Sequence, residues 1–260
     1  VSIGLAAFAW SNRHDPLQPR VLPWLLPVIV GVQGALGAFT VTWLLKPLIV
    51  TLHLVGGLTT LAILWWLALP PERRDVKAAE RPVRRFALGA LAVLALQIVL
   101  GGWTSTNYAA VACPDFPKCQ QSWWPEHDYR DAFVLWRGLG IDYEGGVLDH
   151  PARTAIHVTH RLGAVVTAGV LLALALMARR RAQTRAVRRA ALAVAGAPVL
   201  QWLIGMNLIW LGTSHNAGAA LLLLAVLALI RYLRPVGAVA AARSPGRHAI
   251  AAGTPARRPA

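Results

Sequence analysis

Six long apolar segments constrain the fold of this chain more than any other feature. Each is close to the roughly 20 residues that a helix needs to cross a lipid bilayer. They cover residues 21–43, 48–69, 86–103, 153–178, 190–211 and 215–233. Because no water is available in lipid to satisfy the backbone, such segments are expected to be helical. The sequence therefore predicts an all-α fold, a polytopic membrane helical bundle.

Residues 1–10 are also apolar but make only about half a span, so we expect them to be the end of a helix that is cut short. Composition agrees with a membrane protein, since 56% of residues are hydrophobic and 14% are charged. A net charge of +15 would suggest nucleic acid in a soluble chain. Here the basic residues gather in short links, as topology signals do, so no nucleic-acid partner is expected.

The basic links predict the orientation of the helices. Most Lys and Arg fall in residues 11–20, 70–85, 179–189 and the tail from 234. Strict alternation of the spans puts these segments on one side, which the positive-inside rule makes cytoplasmic. The segments predicted to face outward are residues 44–47, 104–152 and 212–214. We expect the tail, 234–260, to be disordered because it is rich in Ala, Gly, Pro and Arg without apolar periodicity.

Ionisable side chains at the outer ends of three helices predict a site. His53, His157, His160 and His215 would lie at a similar depth in this topology. Histidines inside a membrane are costly and mark functional positions by default. His160 and His215 could bind one haem from facing helices, or they could make interhelical hydrogen bonds. Arg161 could pair with a haem propionate or extend to the membrane surface.

The other histidines and the cysteines are weaker signals. His53 has no evident partner other than His157, and the remaining histidines are expected to be ordinary surface residues. These are His14, His127, His150 and His248. Cys113 and Cys119 lie in the outward loop, where a disulfide is reasonable, although free thiols or a cycling redox pair are alternatives. Two cysteines are too few for a zinc site.

A repeated pattern predicts an internal duplication. Gln-x-x-x-Gly occurs at Gln33, Gln97 and Gln201, with the glycine four residues later each time. Twice it is followed by a tight outer turn and a helix with His in its first turns, His53 and His215. Small residues allow close helix approach and Gln can bond across helices. We therefore predict two four-helix halves related by a pseudo-two-fold repeat.

The long outward loop and the positions of the acidic residues give two further indications of function. The loop, residues 104–152, is long enough to form a lid over the outer histidines. Trp123, Trp124 and Trp136 in it suit the membrane interface. No Asp or Glu lies inside a span, which argues against a membrane proton pump.

Several motifs resemble the haem A synthase family, in its proteobacterial and mitochondrial branch. The resemblance covers about residues 21–233. Its loop motifs are specific: GGWTSTNY at 101–108, CPDFPKC at 113–119, LWRGLG at 135–140 and YEGGVLD at 143–149. The H-x-x-H-R motif ending at Arg161, and the segment from Leu45 to Leu54, fit as well.

The resemblance implies eight helices in two halves, each able to hold a haem near the outer face. The second half, here 86–233, would hold a haem b cofactor between His160 and His215, with Arg161 and His157 as further cofactor-binding residues. The first half, of which 1–70 would remain, is the substrate site, and 71–85 is the link between them. His53 matches a ligand of the substrate haem iron and is the expected catalytic residue. The family oxidises the C8 methyl of haem o to a formyl group, giving haem a.

One departure concerns the N-terminal side. By the resemblance, residues 1–10 match the inner end of the family's second helix, whereas the E-x-x-H-R motif of that helix and the segments before it would precede residue 1. We therefore expect this fragment to bind haem b yet to be inactive. The resemblance also implies a bacterial inner membrane location with haem sites toward the periplasm. Expected partners are haem o, a haem o synthase, a membrane electron acceptor and lipid, with homo-oligomerisation left open. Alternative functions are a non-catalytic di-haem b-type electron carrier and a haem-delivery protein.

Overall fold

The computed structural model describes residues 1–14, 19, 21–70, 80–206 and 212–234. In these residues helices are the regular structure, apart from one isolated β-bridge between Cys119 and Ser122. The helices are α1 (Ser2–Ser11), α2 (Leu22–Thr42), α3 (Pro47–Ala68), α4 (Arg81–Thr106), α5 (Tyr129–Ala132), α6 (His150–Arg181), α7 (Arg185–Met206) and α8 (Gly212–Tyr232). The predicted all-α fold is confirmed.

Six of these helices, α2, α3, α4, α6, α7 and α8, are long and apolar enough to cross a membrane. The protein is therefore a multi-pass membrane protein, as predicted. Within the described residues the remaining helices are short: α1 has 10 residues and α5 has 4.

Several predicted helix boundaries were wrong. The third span begins at Arg81 rather than 86 and continues to Thr106. The predicted turn 212–214 is the first turn of α8. Hydropathy marks only the apolar part of a helix, whereas backbone hydrogen bonds continue into the interface, where arginine side chains can extend toward water. The predicted link and tail lie largely outside the described residues, at 71–79 and 235–260.

Four helices form a closed square in which each packs against two neighbours. The order around the square is α4, α6, α7, α8 and back to α4. Leu94, Leu171, Val194 and Leu229, one from each helix, are fully buried in its core. Helix α6 therefore lies diagonally opposite α8 across the core.

The other three helices are attached to one side of this square. Helix α1 packs on α2, α2 packs on α3, and α3 contacts both α4 and α8. The indole nitrogen of Trp65 on α3 donates to the carbonyl of Leu224 on α8 at 3.0 Å. The division of the chain into repeated halves stays a prediction, with α3 providing the contact between the two regions.

The outward loop packs on the ends of α4 and α6. A second buried cluster includes Trp103 of α4, Ile156 of α6 and Ala132 of α5. The Trp103 indole donates to the carbonyl of Ala132 at 2.9 Å. The loop is thus held over the end of the bundle where the histidines lie.

Candidate functional site

His160 and His215 face each other across the square of helices. Their ring centres are 6.3 Å apart and their planes are inclined by 69°. Two imidazoles that bind one metal ion through nitrogen at about 2 Å have ring centres roughly 6 Å apart. Neutral imidazoles are common axial ligands of haem iron. The separation and the donor chemistry of this pair therefore fit a haem iron bound between them.

Gln97 on α4 holds His160 on α6. Its amide nitrogen lies 3.1 Å from Nδ1 of His160 and donates to the His160 backbone carbonyl at 3.0 Å. A Cβ added at Gly101 would lie 3.2 Å from Cε1 of the same ring. A Cβ at Gly163 would overlap the Gln97 side chain. Both glycines therefore make room for this arrangement, one for the ring and one for the amide.

Gln201 on α7 and His215 on α8 repeat the arrangement. The Gln201 amide nitrogen donates to the His215 carbonyl at 2.9 Å. A Cβ at Gly205 would lie 3.1 Å from Cε1 of His215, and one at Gly218 would overlap Gln201. Oε1 of Gln201 and Nδ1 of His215 are buried and have no hydrogen-bond partner among the residues that the structure describes. Such groups cost about 1–3 kcal/mol each unless a ligand or a rotation of the amide satisfies them.

Gln33 on α2 and His53 on α3 show the arrangement a third time. With its amide nitrogen facing His53, Gln33 donates to Nδ1 at 2.7 Å and to the His53 carbonyl at 3.1 Å, and its oxygen accepts from Gly57. A Cβ at Gly37 would lie 3.3 Å from Cε1 of His53, and one at Gly56 would overlap Gln33. We call this unit, Gln-x-x-x-Gly on one helix with His-x-x-Gly on the next, the Gln–His clasp.

Half of the Gln–His clasp was visible in the sequence. The Gln-x-x-x-Gly pattern was recognised, but the His-x-x-Gly pattern that starts at His53, His160 and His215 was missed. The signal that could have found it is the glycine three residues after each of these histidines. Sequence alone did not show that this glycine faces the glutamine of the preceding span.

His53 differs from the other two clasped histidines in having no second imidazole. Among the described residues no other histidine ring packs against it, whereas His160 and His215 face each other. Its suggested partner, His157, lies against the outward loop on α6. The role of His53 as a ligand of a substrate iron stays a prediction.

His157 and Arg161 are turned toward the disulfide loop. The backbone N–H of Cys113 faces Nδ1 of His157 at 3.3 Å, and Nε of Arg161 donates to Nε2 at 3.1 Å. The Arg161 guanidinium also donates to the carbonyls of Cys113, Asp115 and Lys118 at 2.8–2.9 Å. Within the chain these side chains connect α6 to the loop, and their predicted role in cofactor binding stays a prediction.

The predicted disulfide between Cys113 and Cys119 is formed. Both carboxylate oxygens of Asp115 inside this ring accept backbone N–H groups, from Gln120 and Gln121. Desolvation opposes ionisation, but these N–H groups, together with Arg161, lower the pKa of the Asp115 carboxyl below its usual value. The ring is therefore a preorganised structure whose carbonyls hold the arginine next to His160.

Lys46 is a buried cation that the sequence analysis did not identify as important. It lies in the α2–α3 turn with 1% of its surface exposed, and its ammonium donates to the carbonyl of Gly138 in the outward loop. The ammonium also lies 3.7 Å from the ring centre of Trp136 and 5.7 Å from that of Tyr143. Burial lowers the pKa of Lys46. These contacts join the loop to the turn that precedes His53.

Known proteins resemble this chain over most of its length. Residues 1–227 match the COX15-CtaA family, described as "Cytochrome oxidase assembly protein". The chain is 39% identical over 227 residues to "Heme A synthase" of Shewanella oneidensis, an alignment that covers 84% of this chain and 68% of that protein.

Two further relatives are more distant. "Heme A synthase 2" of Acidiphilium cryptum is 28% identical over 249 residues, which cover 86% of this chain and 63% of the relative. "Heme A synthase" of Rhizorhabdus wittichii is 28% identical over 241 residues, which cover 87% and 65%. The chain thus spans about two thirds of the length of these relatives.

Proposed function

This chain belongs to the COX15-CtaA family of cytochrome oxidase assembly proteins, and from that membership we propose that it is a haem A synthase. The substrate would be haem o, whose C8 methyl group is oxidised to a formyl group to give haem a. Water or activated oxygen supplies the oxygen atom; with water, –CH₃ and H₂O become –CHO with release of four protons and four electrons to a membrane electron acceptor. The enzyme is therefore an oxidoreductase.

The observation that carries the proposal is the His160–His215 pair. Its 6.3 Å ring separation suits two imidazole nitrogens that would bind one iron, and we assign the pair to a haem b cofactor. When bound, this haem supplies one-electron redox chemistry, with a potential tuned by its ligands and burial. His160 and His215 would hold it, at the end of the square to which Arg161 attaches the disulfide loop.

His53 is assigned to the substrate site, in the region that α2 and α3 contribute. Its imidazole is held by Gln33 and Gly37 in the same way as the imidazoles of the pair. The outward loop connects the two sites, because Lys46 joins it to the turn before His53 and Arg161 joins it to the turn of α6 that carries His160. These contacts suit the loop to shielding both sites from bulk water.

The distribution of basic residues supports a bacterial inner membrane location with both sites toward the periplasm. A haem o synthase that supplies the hydrophobic substrate directly, and association of two or more copies of this chain, complete the proposed set of partners.

Pigment extraction with pyridine haemochrome spectra tests the proposal on the purified full-length protein. His160→Ala and His215→Ala should lose haem b, whereas His53→Ala should keep haem b and form no haem a. His14→Ala is the matched control, since His14 is exposed in the link after α1 and should leave both haems unchanged. If every variant keeps its haem b and haem o or haem a is never found, a membrane di-haem electron carrier replaces the synthase.

A further inference from the structure

The Gln–His clasp recurs at all three outer histidines that the family resemblance names as iron ligands in this chain. In each case the glutamine amide reaches the backbone carbonyl of the histidine, at 2.9–3.1 Å. In each case a glycine four residues after the glutamine lies under Cε1 of the ring, where a Cβ would be only 3.1–3.3 Å away. General helix packing does not require a glutamine and two glycines in the same register three times.

The clasp contacts one edge of each imidazole, the edge that carries Nδ1 and Cε1. Nδ1 lies beside the glutamine amide in two of the three clasps, at 3.1 Å for His160 and 2.7 Å for His53. Cε1 lies against the glycine in all three. The nitrogen left for a metal is therefore Nε2, which is the same atom in each of them.

Glutamine suits this position because its amide can serve either form of the ring. The amide nitrogen donates to an unprotonated Nδ1, whereas a turned amide accepts from Nδ1–H through its oxygen and gives up its donation to the histidine carbonyl. A histidine that binds metal through Nε2 carries its proton on Nδ1 and usually gives it to an oxygen acceptor. Oε1 of Gln201 and Nδ1 of His215, which are buried and without a partner in the described part of the chain, are an acceptor and a ring nitrogen of this kind.

We propose that Gln97, Gln201 and Gln33 are positioning residues that orient His160, His215 and His53 toward iron. They act through the imidazole and do not touch the haem. The inference rests on the proposed function, because it assumes that these imidazoles bind iron. It adds that one helix-pair unit builds the cofactor ligands and the substrate-site ligand alike.

Gln97→Met and Gln97→Glu test the proposal on the full-length protein. Methionine keeps the length of the side chain but cannot hydrogen-bond strongly, while a protonated glutamic acid keeps one donor for the carbonyl and one acceptor for Nδ1–H. Gln97→Met should bind haem b 10- to 100-fold more weakly, change the EPR g values of the ferric haem and raise its midpoint potential. Gln97→Glu should restore haem binding and lower the potential again. Thr59→Val, which removes a hydroxyl bonded only within its own helix, should change none of these.

Gly101→Ala supplies an independent test that leaves the glutamine in place. Its Cβ would press on Cε1 of His160, so the ring must shift and the g values should change while haem b is retained. Gly89→Ala is the matched control on the same helix, because nothing lies within 4 Å of its Cβ.

The outcomes separate the inference from the proposed function. The inference is overturned if Gln97→Met and Gly101→Ala retain haem and that haem has the g values and the potential of the wild type. It is also overturned if Gln97→Glu binds no more haem than Gln97→Met. A purely structural clasp would give that result, even with His160→Ala losing its haem as proposed. If His160→Ala keeps its haem b, the proposed function fails and the inference fails with it.

Discussion

The Gln–His clasp occurs in the α2–α3 pair and in the square of α4, α6, α7 and α8, but its histidines have different surroundings in the two regions. His53 is clasped on α3 but has no second imidazole among the described residues, whereas the clasped His160 and His215 face each other. The difference lies in the packing of whole helices. Helices α6 and α8 are diagonal in the square, so each clasp directs its histidine into the shared core. The clasp makes an oriented imidazole, and the arrangement of clasped pairs makes a two-ligand site.

The largest effect is expected from filling the glycine that lies under the glutamine. Gly163→Ala should destabilise the protein by about 1–3 kcal/mol, because the added methyl displaces the Gln97 amide from its hydrogen bonds to His160. Gly56→Ala should cost a similar amount in the α2–α3 pair, where it meets Gln33. Thermal unfolding in detergent, followed with the haem b spectrum, should show haem loss for Gly163→Ala only. Gly169→Ala, with nothing near its Cβ, is the control. Haem loss from Gly56→Ala would show that the two regions are not independent.

The Cys113–Cys119 ring is described only beside the square of helices, and no such ring is described beside the α2–α3 pair. Replacing Cys113 and Cys119 together by Ser should cost about 2 kcal/mol, the entropy of closing so short a loop. Arg161→Met should cost less in this background than in the wild type, because the ring carbonyls that it contacts are no longer held. A double-mutant cycle of thermal stabilities measures this coupling. Additive effects would contradict the view that the ring and the arginine act as one unit.

Lys46 tests the contact between the loop and the α2–α3 turn. Lys46→Met should lower the free energy of unfolding by about 1 kcal/mol, because the ammonium's contact with Trp136 is lost. Because burial lowers the lysine pKa in the folded protein, the folded state releases the proton more readily than the unfolded chain. The stability of the wild type relative to Lys46→Met should therefore rise as pH increases from the lowered pKa toward the usual 10.5. The free energy of unfolding of both proteins, measured across this pH range, checks the sign. If the wild type loses stability relative to Lys46→Met as the pH rises, the prediction is wrong.

The smallest effect is expected at the contact between the two regions. Trp65→Phe removes the hydrogen bond to the Leu224 carbonyl and should cost about 0.5–1 kcal/mol. Trp24→Phe, at an exposed tryptophan on α2 whose edge-on contact with Trp10 a phenyl ring can keep, should have a smaller effect. If Trp65→Phe also shifts the potential of haem b, the α3–α8 contact transmits a structural change to the pair, and the regions are more closely coupled than described above.

The sequence by itself determined the helices and half of the clasp, and the common depth of the histidines stays a prediction. Helix formation in a membrane depends on local backbone hydrogen bonds and on the length of apolar segments, so both can be read along the chain. For the same reason the boundaries near Arg81 and Gly212 were missed, because hydropathy does not register the polar turns of a helix. The disulfide was predicted as one of several alternatives because its two cysteines lie in the loop that is predicted to face outward.

Only the tertiary structure decided which side chains meet. The pairing of His160 with His215 requires α6 and α8 to lie diagonally, and Gly163 matters only because Gln97 comes from another helix. Arg161 had two plausible destinations in the sequence, and the structure directs it to the carbonyls of the disulfide ring. Lys46 looked like a turn residue, yet the folded loop buries it against Trp136. Such contacts join residues distant in sequence, and their geometry is set by helix packing, which no local pattern encodes.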